Sequence, residues 1–336
     1  MSIIVTGGAG FIGSNFVRRW LSQKISQDKN GPVIVLDKLT YAGSLKNLEN
    51  LNSNQMVFVQ GDINDHVLVQ DLFLRYNPQA LLNFAAESHV DRSINDPEEF
   101  IKTNVNGTFN LLRCANTYYQ KLDDSEKKTF RFLQVSTDEV YGSLDENQEA
   151  FTESSPYLPN NPYAASKASA DHLVRSYYHT FALPVLITHC SNNFGPNQHN
   201  EKLIPKIISN AFNEVKIPIY GDGKNIRDWI YVNEHCDAIL AVLEKGRIGE
   251  SYNIGSSNEK NNLEMTELVC RMLDEVSPRK SGGSYREFIT LVEDRPGHDR
   301  RYAINSSKLC KDTGFVFSED FHLALMNTIR FYLERK

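Results

Sequence analysis

Short apolar runs alternate with longer segments of mixed polarity over most of the chain. Apolar runs bounded by polar turn residues are typical of buried parallel strands, and the helix-length segments between them predict strand–helix–strand units. We therefore expect an α/β protein with a doubly wound, mostly parallel sheet of seven strands. The predicted strands are Ser2–Thr6, Val33–Leu36, Val57–Asp62, Ala80–Ala86, the run that starts at Phe132, Val185–His189 and Tyr252–Ile254.

The alternation loses its regularity after the sixth predicted strand. Ser191–Pro196 has a turn-forming composition, and Asp228–Val232 has the pattern of a strand that returns to the main sheet. These features predict two interleaved domains, with the smaller one lying over the carboxyl edge of the sheet. The large domain is predicted over residues 1–196 and 229–257, and the smaller mixed α/β domain over residues 197–228 and 258–336.

A glycine pattern, Gly7-x-x-Gly10-x-x-Gly13, lies between the first predicted strand and a helix. In this context Gly7 permits a tight turn, Gly10 lets a pyrophosphate approach the backbone, and Gly13 lets helix and strand pack closely. Asp37 ends the second strand, where a carboxylate can bind ribose hydroxyls and would repel a 2′-phosphate. The pattern predicts a Rossmann-type site for NAD rather than NADP, and the neighbouring Lys38 weakens that preference. Glycine-rich turns also join strands to helices without binding anything.

Polar residues at two further strand ends have more than one interpretation. Asp62 either faces the adenine amino group or caps the helix predicted over Asp65–Arg75. The loop Glu87–Ser93 follows the fourth strand and is a candidate lining of a site. His89 and Asp91 in this loop are equally compatible with solvated positions.

The fifth apolar run ends in Ser136, Thr137, Asp138 and Glu139. Ligands of open α/β sheets lie in the crevice beyond the carboxyl ends of the strands, so these side chains are candidates for chemistry. Acidic residues also favour the N-terminus of a helix. Asp138 and Glu139 are therefore equally compatible with a role in capping the next helix.

A tyrosine and a lysine share one face of the next long helix. Asn161 is a natural N-cap and Pro162 a natural first residue, which places Tyr163 and Lys167 one turn apart. Such pairs are usually ordinary surface pairs. A nearby ammonium can also lower the pKa of a phenol, which then acts as a base at neutral pH.

Together, the glycine pattern, the threonine after the central strand and Tyr163-x-x-x-Lys167 resemble the extended short-chain dehydrogenase/reductase superfamily. More specific segments over essentially the whole chain are similar to the dTDP-glucose 4,6-dehydratase family. One departure is Phe194, where that family is expected to have tyrosine. The segments are Leu36–Gly43, Ala85–Ser93, Ser136–Gly142, Ser191–Pro196, Ile226–Trp229 and Asp294–Arg301.

The resemblance implies a reaction with a role for each candidate catalytic residue. Tyr163, helped by Lys167 and the nicotinamide cation, would take the proton of the C4 hydroxyl of the substrate sugar while that carbon is oxidised. Thr137 would hydrogen-bond the C4 oxygen. Glu139 would remove the C5 proton, Asp138 would protonate the departing C6 oxygen, and hydride would return from the cofactor to C6. The expected product is a 4-keto-6-deoxy sugar.

The resemblance also implies two sets of binding residues and a homodimer formed by two long helices, Pro97–Tyr119 and Pro162–Phe181. The expected NAD contacts are Gly7, Gly10, Phe11, Ile12, Gly13, Asp37, Lys38, Thr40, Asp62, Ile63, Ala85, Ala86, Tyr163, Lys167 and Asn192. The expected nucleotide-sugar contacts are Ser88, His89, Thr137, Asn193, Lys202, Leu203, Pro218, Tyr220, Arg227, Asn262, Arg295 and His298. Arginine suits a diphosphate because its planar fork donates in pairs, but Arg227 or Arg295 would also suit a structural ion pair.

Composition argues against several other classes of protein. The net charge of −6 is spread along the chain, so we expect no nucleic-acid partner. The five cysteines lie far apart and form no Cys/His cluster, which predicts neither a metal site nor a disulfide framework. No apolar run approaches the roughly 18 residues of a membrane span, and the chain starts on a strand. We therefore expect a cytoplasmic enzyme with no membrane segment and no targeting segment.

Three alternative functions use a similar scaffold. Nucleotide-sugar epimerases and decarboxylases lack the Asp138–Glu139 pair after the threonine. UDP-glucose 4,6-dehydratases share the catalytic pattern, and thymine differs from uracil by one methyl group, which is worth only about 1–3 kcal/mol of discrimination. A catalytically silent NAD-binding sensor would have no need to keep Tyr163 and Lys167 together with both carboxylates.

Overall fold

The computed structural model describes residues 2–27, 31–51 and 54–335. Its main sheet has seven strands, all parallel, in the order β10–β6–β5–β4–β1–β2–β3, which confirms the predicted sheet. The strands in chain order are β1 (Ile3–Thr6), β2 (Val33–Asp37), β3 (Met56–Gln60), β4 (Ala80–Asn83), β5 (Arg131–Thr137), β6 (Val185–Cys190), β7 (Asn192–Phe194), β8 (Ile217–Tyr220), β9 (Ile226–Tyr231), β10 (Ser251–Ile254), β11 (Glu259–Asn261) and β12 (Ile289–Val292).

Helices cover both faces of this sheet and build a second, smaller layer. Short 3₁₀ turns lie at Leu45–Leu48, Asp138–Tyr141 and Tyr285–Phe288. The α-helices are α1 (Phe11–Gln27), α2 (His66–Tyr76), α3 (Val90–Asn95), α4 (Glu98–Phe100), α5 (Thr108–Tyr119), α6 (Asp124–Thr129), α7 (Pro162–Phe181), α8 (Leu203–Phe212), α9 (Val232–Lys245), α10 (Asn262–Val276), α11 (Ser307–Thr313) and α12 (Phe321–Glu334).

Alternate residues of each strand point to opposite faces of the sheet, so the two faces have separate cores. Ile3 and Val5 pack in one core with residues of α1 and α9. Ile4 packs in the other core with residues of α2, α5 and α7. Because both faces are covered, the strands are apolar throughout, which explains why the sequence pattern found them.

The topology fixes the position of a crevice. The chain moves from β1 to β2 and β3 on one side, and then crosses to β4, β5, β6 and β10 on the other. The order therefore reverses between β1 and β4, and ligands of open α/β sheets bind beyond the carboxyl ends of the strands at this point.

Two segments were assigned wrongly from the sequence. Asn192–Phe194 lies in the segment predicted as a turn, but it forms β7. Asp228–Val232 was expected in the main sheet, whereas β9 pairs with β7 and β11 in a separate three-stranded sheet. Pairing between such distant segments leaves no local pattern. Trp229 packs with residues of α8, α10 and α12 in a third core.

The helical prediction over Pro97–Tyr119 is also only partly correct. The segment starts as α4, continues as a π-helix over Ile101–Gly107 and becomes α5 only at Thr108. The charged connection before β5 contains the short helix α6, which Asp123 and Glu126 stabilise with a capping box.

Candidate active site

A cavity at the carboxyl edge of the sheet brings together most of the predicted site residues. Every predicted cofactor contact lines it, and so do Asp138 and Glu139. Of the predicted substrate contacts, Ser88, Thr137, Asn193 and Lys202 line this cavity. The others lie outside this lining: His89, Leu203, Pro218, Tyr220, Arg227, Asn262, Arg295 and His298.

The glycine turn forms a cradle with no room for side chains. Gly7 has φ +66°, and a Cβ atom there would lie 2.6 Å from the backbone nitrogen of Ala85. A Cβ on Gly13 would collide with the carbonyl oxygen of Gly7. The turn leads into the N-terminus of α1, where backbone N–H groups and the helix dipole favour an anion. The cradle therefore fits the pyrophosphate of a dinucleotide.

Asp37 holds this cradle against the end of β2. Its carboxylate oxygens accept hydrogen bonds from the backbone nitrogens of Ala9 at 2.9 Å and Leu39 at 2.8 Å. Each carboxylate oxygen has a second acceptor position. Asp37 can therefore bind ribose hydroxyls while it also fixes the loop.

Lys38 and Asp62 form an ion pair with an Nζ–Oδ2 distance of 2.9 Å at the edge of the cavity. Asp65, not Asp62, caps α2 by accepting from the backbone nitrogen of Leu68 at 3.0 Å, so the capping alternative for Asp62 is wrong. The pair compensates the charge of Lys38, which removes the reason to expect this lysine to favour a 2′-phosphate.

Thr137, rather than Asp138 or Glu139, caps the turn that follows β5. Its hydroxyl oxygen accepts from the backbone nitrogen of Glu139 at 3.3 Å and so caps the 3₁₀ turn after β5. The hydroxyl also donates to Oδ1 of Asp138 at 3.3 Å. Oδ2 of Asp138 is buried and has no hydrogen-bond partner among the described residues.

Asp138 and Glu139 are adjacent but lie in different electrostatic surroundings. Burial, then the charges of Glu139 and Asp228, raise the pKa of Asp138 well above its usual range, and Arg227 opposes them. Burial also raises the pKa of Glu139, but the cations Arg295, Lys202 and Arg227 oppose it. Asp138 therefore favours the protonated form, and Glu139 is held closer to ionisation.

Tyr163 and Lys167 project from α7 into the same cavity, and both are buried. Burial, then the charge of Glu139, raises the pKa of Tyr163 well above its usual value, while the Thr137 hydroxyl lowers it. Lys167 donates from Nζ to the carbonyl oxygen of Val135 at 2.7 Å. The surrounding protein groups therefore favour the protonated phenol, and Lys167 bonds a backbone carbonyl oxygen instead of offsetting that effect.

A buried network behind these residues was not found from the sequence. Ser136 donates to Oδ2 of Asp171 at 2.6 Å, and His189 lies 3.3 Å from the same oxygen. Asp171 follows Lys167 by one helical turn, and its charge opposes the lowering of the lysine pKa that burial causes. The spacing of four residues between Lys167 and Asp171 places both on one face of the helix, and this was the sequence feature that could have revealed the contact.

Arg227 is fixed by carbonyl oxygens and an aromatic ring. It donates to the carbonyl oxygens of Ile226 at 2.7 Å and Asp299 at 3.0 Å, and its guanidinium lies 4.3 Å from the ring centre of Tyr302. Only 4% of the residue is exposed. The anchoring arises from contacts 72 residues apart, which the sequence did not reveal.

Asp91 connects two of the predicted substrate residues. It forms an ion pair with Arg295 at 3.1 Å and accepts from the hydroxyl of Tyr220 at 3.1 Å. The ring of His298 packs edge-on against Tyr220, and its Nδ1 lies 2.6 Å from Asp294. Asp91 is thus not simply solvated, and Arg295 does occupy an ion pair.

The remaining predicted contacts lie at the ends of elements of the smaller layer or in loops. Lys202 donates to the carbonyl oxygen of Ser88 at 2.7 Å, which ties the loop before α8 to the loop after β4. The side-chain oxygen of Asn193 contacts Nδ1 of His235 at 2.9 Å. His89 lies 3.8 Å from Glu201, Leu203 starts α8, Pro218 lies in β8 and Asn262 starts α10.

A dinucleotide cradle beside a buried tyrosine and lysine one helical turn apart defines the short-chain dehydrogenase/reductase class, to which this fold and site assign the chain. A family model described as GDP-mannose 4,6 dehydratase matches residues 4–327. A dTDP-glucose 4,6-dehydratase of Xanthomonas campestris pv. campestris is 51% identical over 98% of this chain and 92% of its own length. One of Neisseria gonorrhoeae is 47% identical over 100% of this chain and 96% of its own length. The chain belongs to the dTDP-glucose 4,6-dehydratase family.

A solved structure agrees with this assignment. The dTDP-glucose 4,6-dehydratase DesIV of Streptomyces venezuelae, crystallised with NAD, has a TM-score of 0.90 and 43% identity and covers 99% of this chain and 97% of its own. A UDP-glucose 4-epimerase of Thermotoga maritima has a TM-score of 0.84 at 23% identity over 100% of this chain and 99% of its own, and that likeness extends to the fold alone.

No described helix has the length and the apolar composition needed to span a membrane.

Proposed function

We propose that the chain is an NAD-dependent lyase that dehydrates dTDP-glucose to dTDP-4-keto-6-deoxyglucose. This proposal rests on the difference in electrostatic surroundings between Asp138 and Glu139. Elimination of water needs an acid that keeps its proton and a base that has lost it, and surroundings that separate two pKa values divide these roles. The charges of Glu139 and Asp228 raise the pKa of Asp138 against the opposing charge of Arg227, whereas the cations Arg295, Lys202 and Arg227 all oppose the rise at Glu139.

When bound, NAD⁺ supplies the hydride acceptor for C4 of the sugar and later the hydride donor for C6. Tyr163 removes the proton of the C4 hydroxyl, and Thr137 hydrogen-bonds the same oxygen. The new ketone makes the C5 proton acidic, and Glu139 removes it. Asp138 protonates the C6 oxygen, so that water leaves. Glu139 then returns a proton to C5.

The binding roles of the two layers follow the same proposal. Residues 1–196 and 229–257 bind NAD through the glycine cradle, and residues 197–228 and 258–336 bind the nucleotide sugar. Arg227 and Arg295 hold the diphosphate. Their placement near Glu139 supports this role, because both lower the pKa of that carboxyl and so lie within electrostatic reach of it. The shared name of the relatives favours dTDP-glucose over UDP-glucose.

The assembly and the compartment complete the proposal. The chain forms a homodimer through the helical segment up to α5 and through α7. Large apolar side chains on these segments support an interface, because Ile101, Phe109 and Phe181 are 47%, 43% and 44% exposed. Cys114, Cys190, Cys236, Cys270 and Cys310 are free thiols, as suits the reducing cytoplasm.

The function is tested by incubating the purified chain with dTDP-glucose or UDP-glucose and following the mass of the sugar nucleotide. The proposal expects loss of one water and a ketone at C4, faster from dTDP-glucose. Glu139→Gln is the matched control that should form no product. A product of unchanged mass would instead indicate an epimerase, and preference for the uracil nucleotide would indicate a UDP-glucose 4,6-dehydratase.

A further inference from the structure

The proposed dehydration needs two bases at fixed positions relative to each other. Tyr163 acts on the oxygen of C4 and Glu139 acts on the proton of C5, and these are neighbouring carbons of one sugar. The two residues belong to different elements, since Glu139 lies in the 3₁₀ turn after β5 and Tyr163 lies in α7. The site therefore needs a contact that holds the turn and the helix together.

The side chain of Asn161 joins these two elements. Its Oδ1 accepts from the backbone nitrogen of Ala164 at 2.8 Å and so caps α7, close to Tyr163 in the first turn. Its Nδ2 donates to Oε2 of Glu139 at 3.4 Å. Because the cap needs the oxygen, the nitrogen is the end of the amide that faces the carboxylate. Only 6% of Asn161 is exposed, so water has poor access to either bond.

Asn161 is the one residue in the described part of the chain whose side chain donates a hydrogen bond to the Glu139 carboxylate. The cations Arg295, Lys202 and Arg227 bond other groups and act on this carboxylate through their charge. Burial raises the pKa of Glu139, and the Asn161 amide is among the groups that lower it, as a donor to the ionised form should. An ionised carboxylate has about four acceptor positions, so this bond leaves Oε1 for the C5 proton.

The backbone around this contact is held as well. The backbone nitrogen of Leu158 donates to the carbonyl oxygen of Val140 at 3.0 Å, which fixes the loop before α7 against the turn after β5. The side chain of Asn160 donates to Oδ1 of Asp299 at 2.6 Å, which ties the residue before the cap to the smaller layer. The capping amide therefore lies between two segments whose positions are fixed.

We propose that Asn161 is a positioning residue for the elimination, which holds Glu139 against C5 while its cap holds Tyr163 against C4. The inference rests on the proposed dehydratase function. Asn161 itself transfers no proton. Without its amide, the side chain of Glu139 is free to turn toward the surrounding cations and away from C5. Oxidation at C4 does not use Glu139, so loss of the amide should slow the second step and spare the first.

The test compares Asn161→Ser with the native chain. Serine caps a helix about as well as asparagine, but its side chain is shorter and has no N–H group. After rapid mixing with dTDP-glucose, reduced cofactor should form at nearly the native rate. It should then decay about 10- to 100-fold more slowly, the usual effect of losing a hydrogen bond to a charged group. Deuterium at C5 of the sugar should slow this decay further, which would identify removal of the C5 proton as the impaired step.

Asn161→Asp is the second variant, because aspartate keeps the cap and the shape of the side chain but replaces the donor by a charged acceptor. It should show the same slow decay of reduced cofactor, and both variants should keep the native midpoint of thermal unfolding. Decay at the native rate in both variants would overturn the inference. Equal slowing of formation and decay would also overturn it, because that result would indicate a general disturbance of α7. Failure of the native enzyme to form any ketone would instead overturn the proposed function.

Discussion

Replacing Asp138 by asparagine removes the proposed acid while it keeps the shape of the side chain. The amide oxygen can still accept from Thr137, whose hydroxyl lies 3.3 Å from Oδ1 in the native site. Oxidation at C4 does not use Asp138, so reduced cofactor should accumulate on the enzyme. Loss of water should slow by about 10²–10⁴-fold, the usual contribution of a positioned acid.

The assay follows reduced cofactor by absorbance and deuterium at C5 by mass spectrometry after incubation in heavy water. Glu139→Gln is the matched control, since it should also accumulate reduced cofactor. The Asp138→Asn variant keeps its base, so sugar recovered from it should carry deuterium at C5, whereas sugar from Glu139→Gln should not. If Asp138→Asn forms no reduced cofactor, or if both variants exchange C5 equally, the division of roles is wrong.

The same substitution makes a prediction about stability. Burial and nearby charges raise the folded-state pKa of Asp138. A carboxyl with a higher pKa in the folded than in the unfolded state destabilises the fold as pH rises between those two values, by about 1.4 kcal/mol for each pH unit that separates them. Asp138→Asn should therefore be more stable than the native chain at neutral pH, with the gain lost below the unfolded carboxyl pKa. Urea unfolding at neutral pH and at a pH below the unfolded carboxyl pKa tests this. An Asp138→Asn variant that is less stable than the native chain at neutral pH would refute the electrostatic argument.

Three further predictions concern the phenol, the arginines and the cofactor edge. Tyr163→Phe should bind the sugar nucleotide with nearly native affinity but form no reduced cofactor, as calorimetry and absorbance would show; hydride transfer within a few-fold of native would exclude its role. Arg227→Ala and Arg295→Ala should each weaken substrate binding by roughly 10- to 100-fold, the loss of charged hydrogen bonds worth about 1.5–3 kcal/mol, with less effect on turnover of bound substrate. Unchanged affinity in both would remove them from the diphosphate site. Asp62→Asn should free Lys38 and raise affinity for NADP relative to NAD in fluorescence titrations, and adding Lys38→Ala should cancel the gain; equal NADP binding in all three proteins would refute the ion-pair argument.

Local pattern was enough to predict the main sheet and the cavity edge. The strands of that sheet are covered on both faces, so each is a compact apolar run whose polar end marks the crevice. The glycine turn and the Tyr163–Lys167 spacing are local features too. For these reasons every predicted cofactor contact lies along one cavity.

Contacts between distant segments were not predictable in this way. β7 and β9 are short strands whose pairing depends on tertiary packing, so Asn192–Phe194 looked like a turn. The ion pair of Asp91 with Arg295 joins residues 204 positions apart, and neither neighbourhood reveals the partner. The spacing of Tyr163 and Lys167 suggested a lowered pKa of the phenol, whereas burial raises it. A spacing along a helix carries no information about burial.

The central claim is that one sugar is oxidised, dehydrated and reduced within a single closed cycle. Because hydride leaves C4 and returns to C6 of the same molecule, dTDP-glucose deuterated at C4 should give a product with that deuterium at C6. In a mixture of labelled and unlabelled substrate, little label should cross between molecules, and catalytic amounts of NAD⁺ should suffice. Extensive crossover, or a need for one NAD⁺ per product, would contradict the account and indicate a dehydrogenase that releases its ketone.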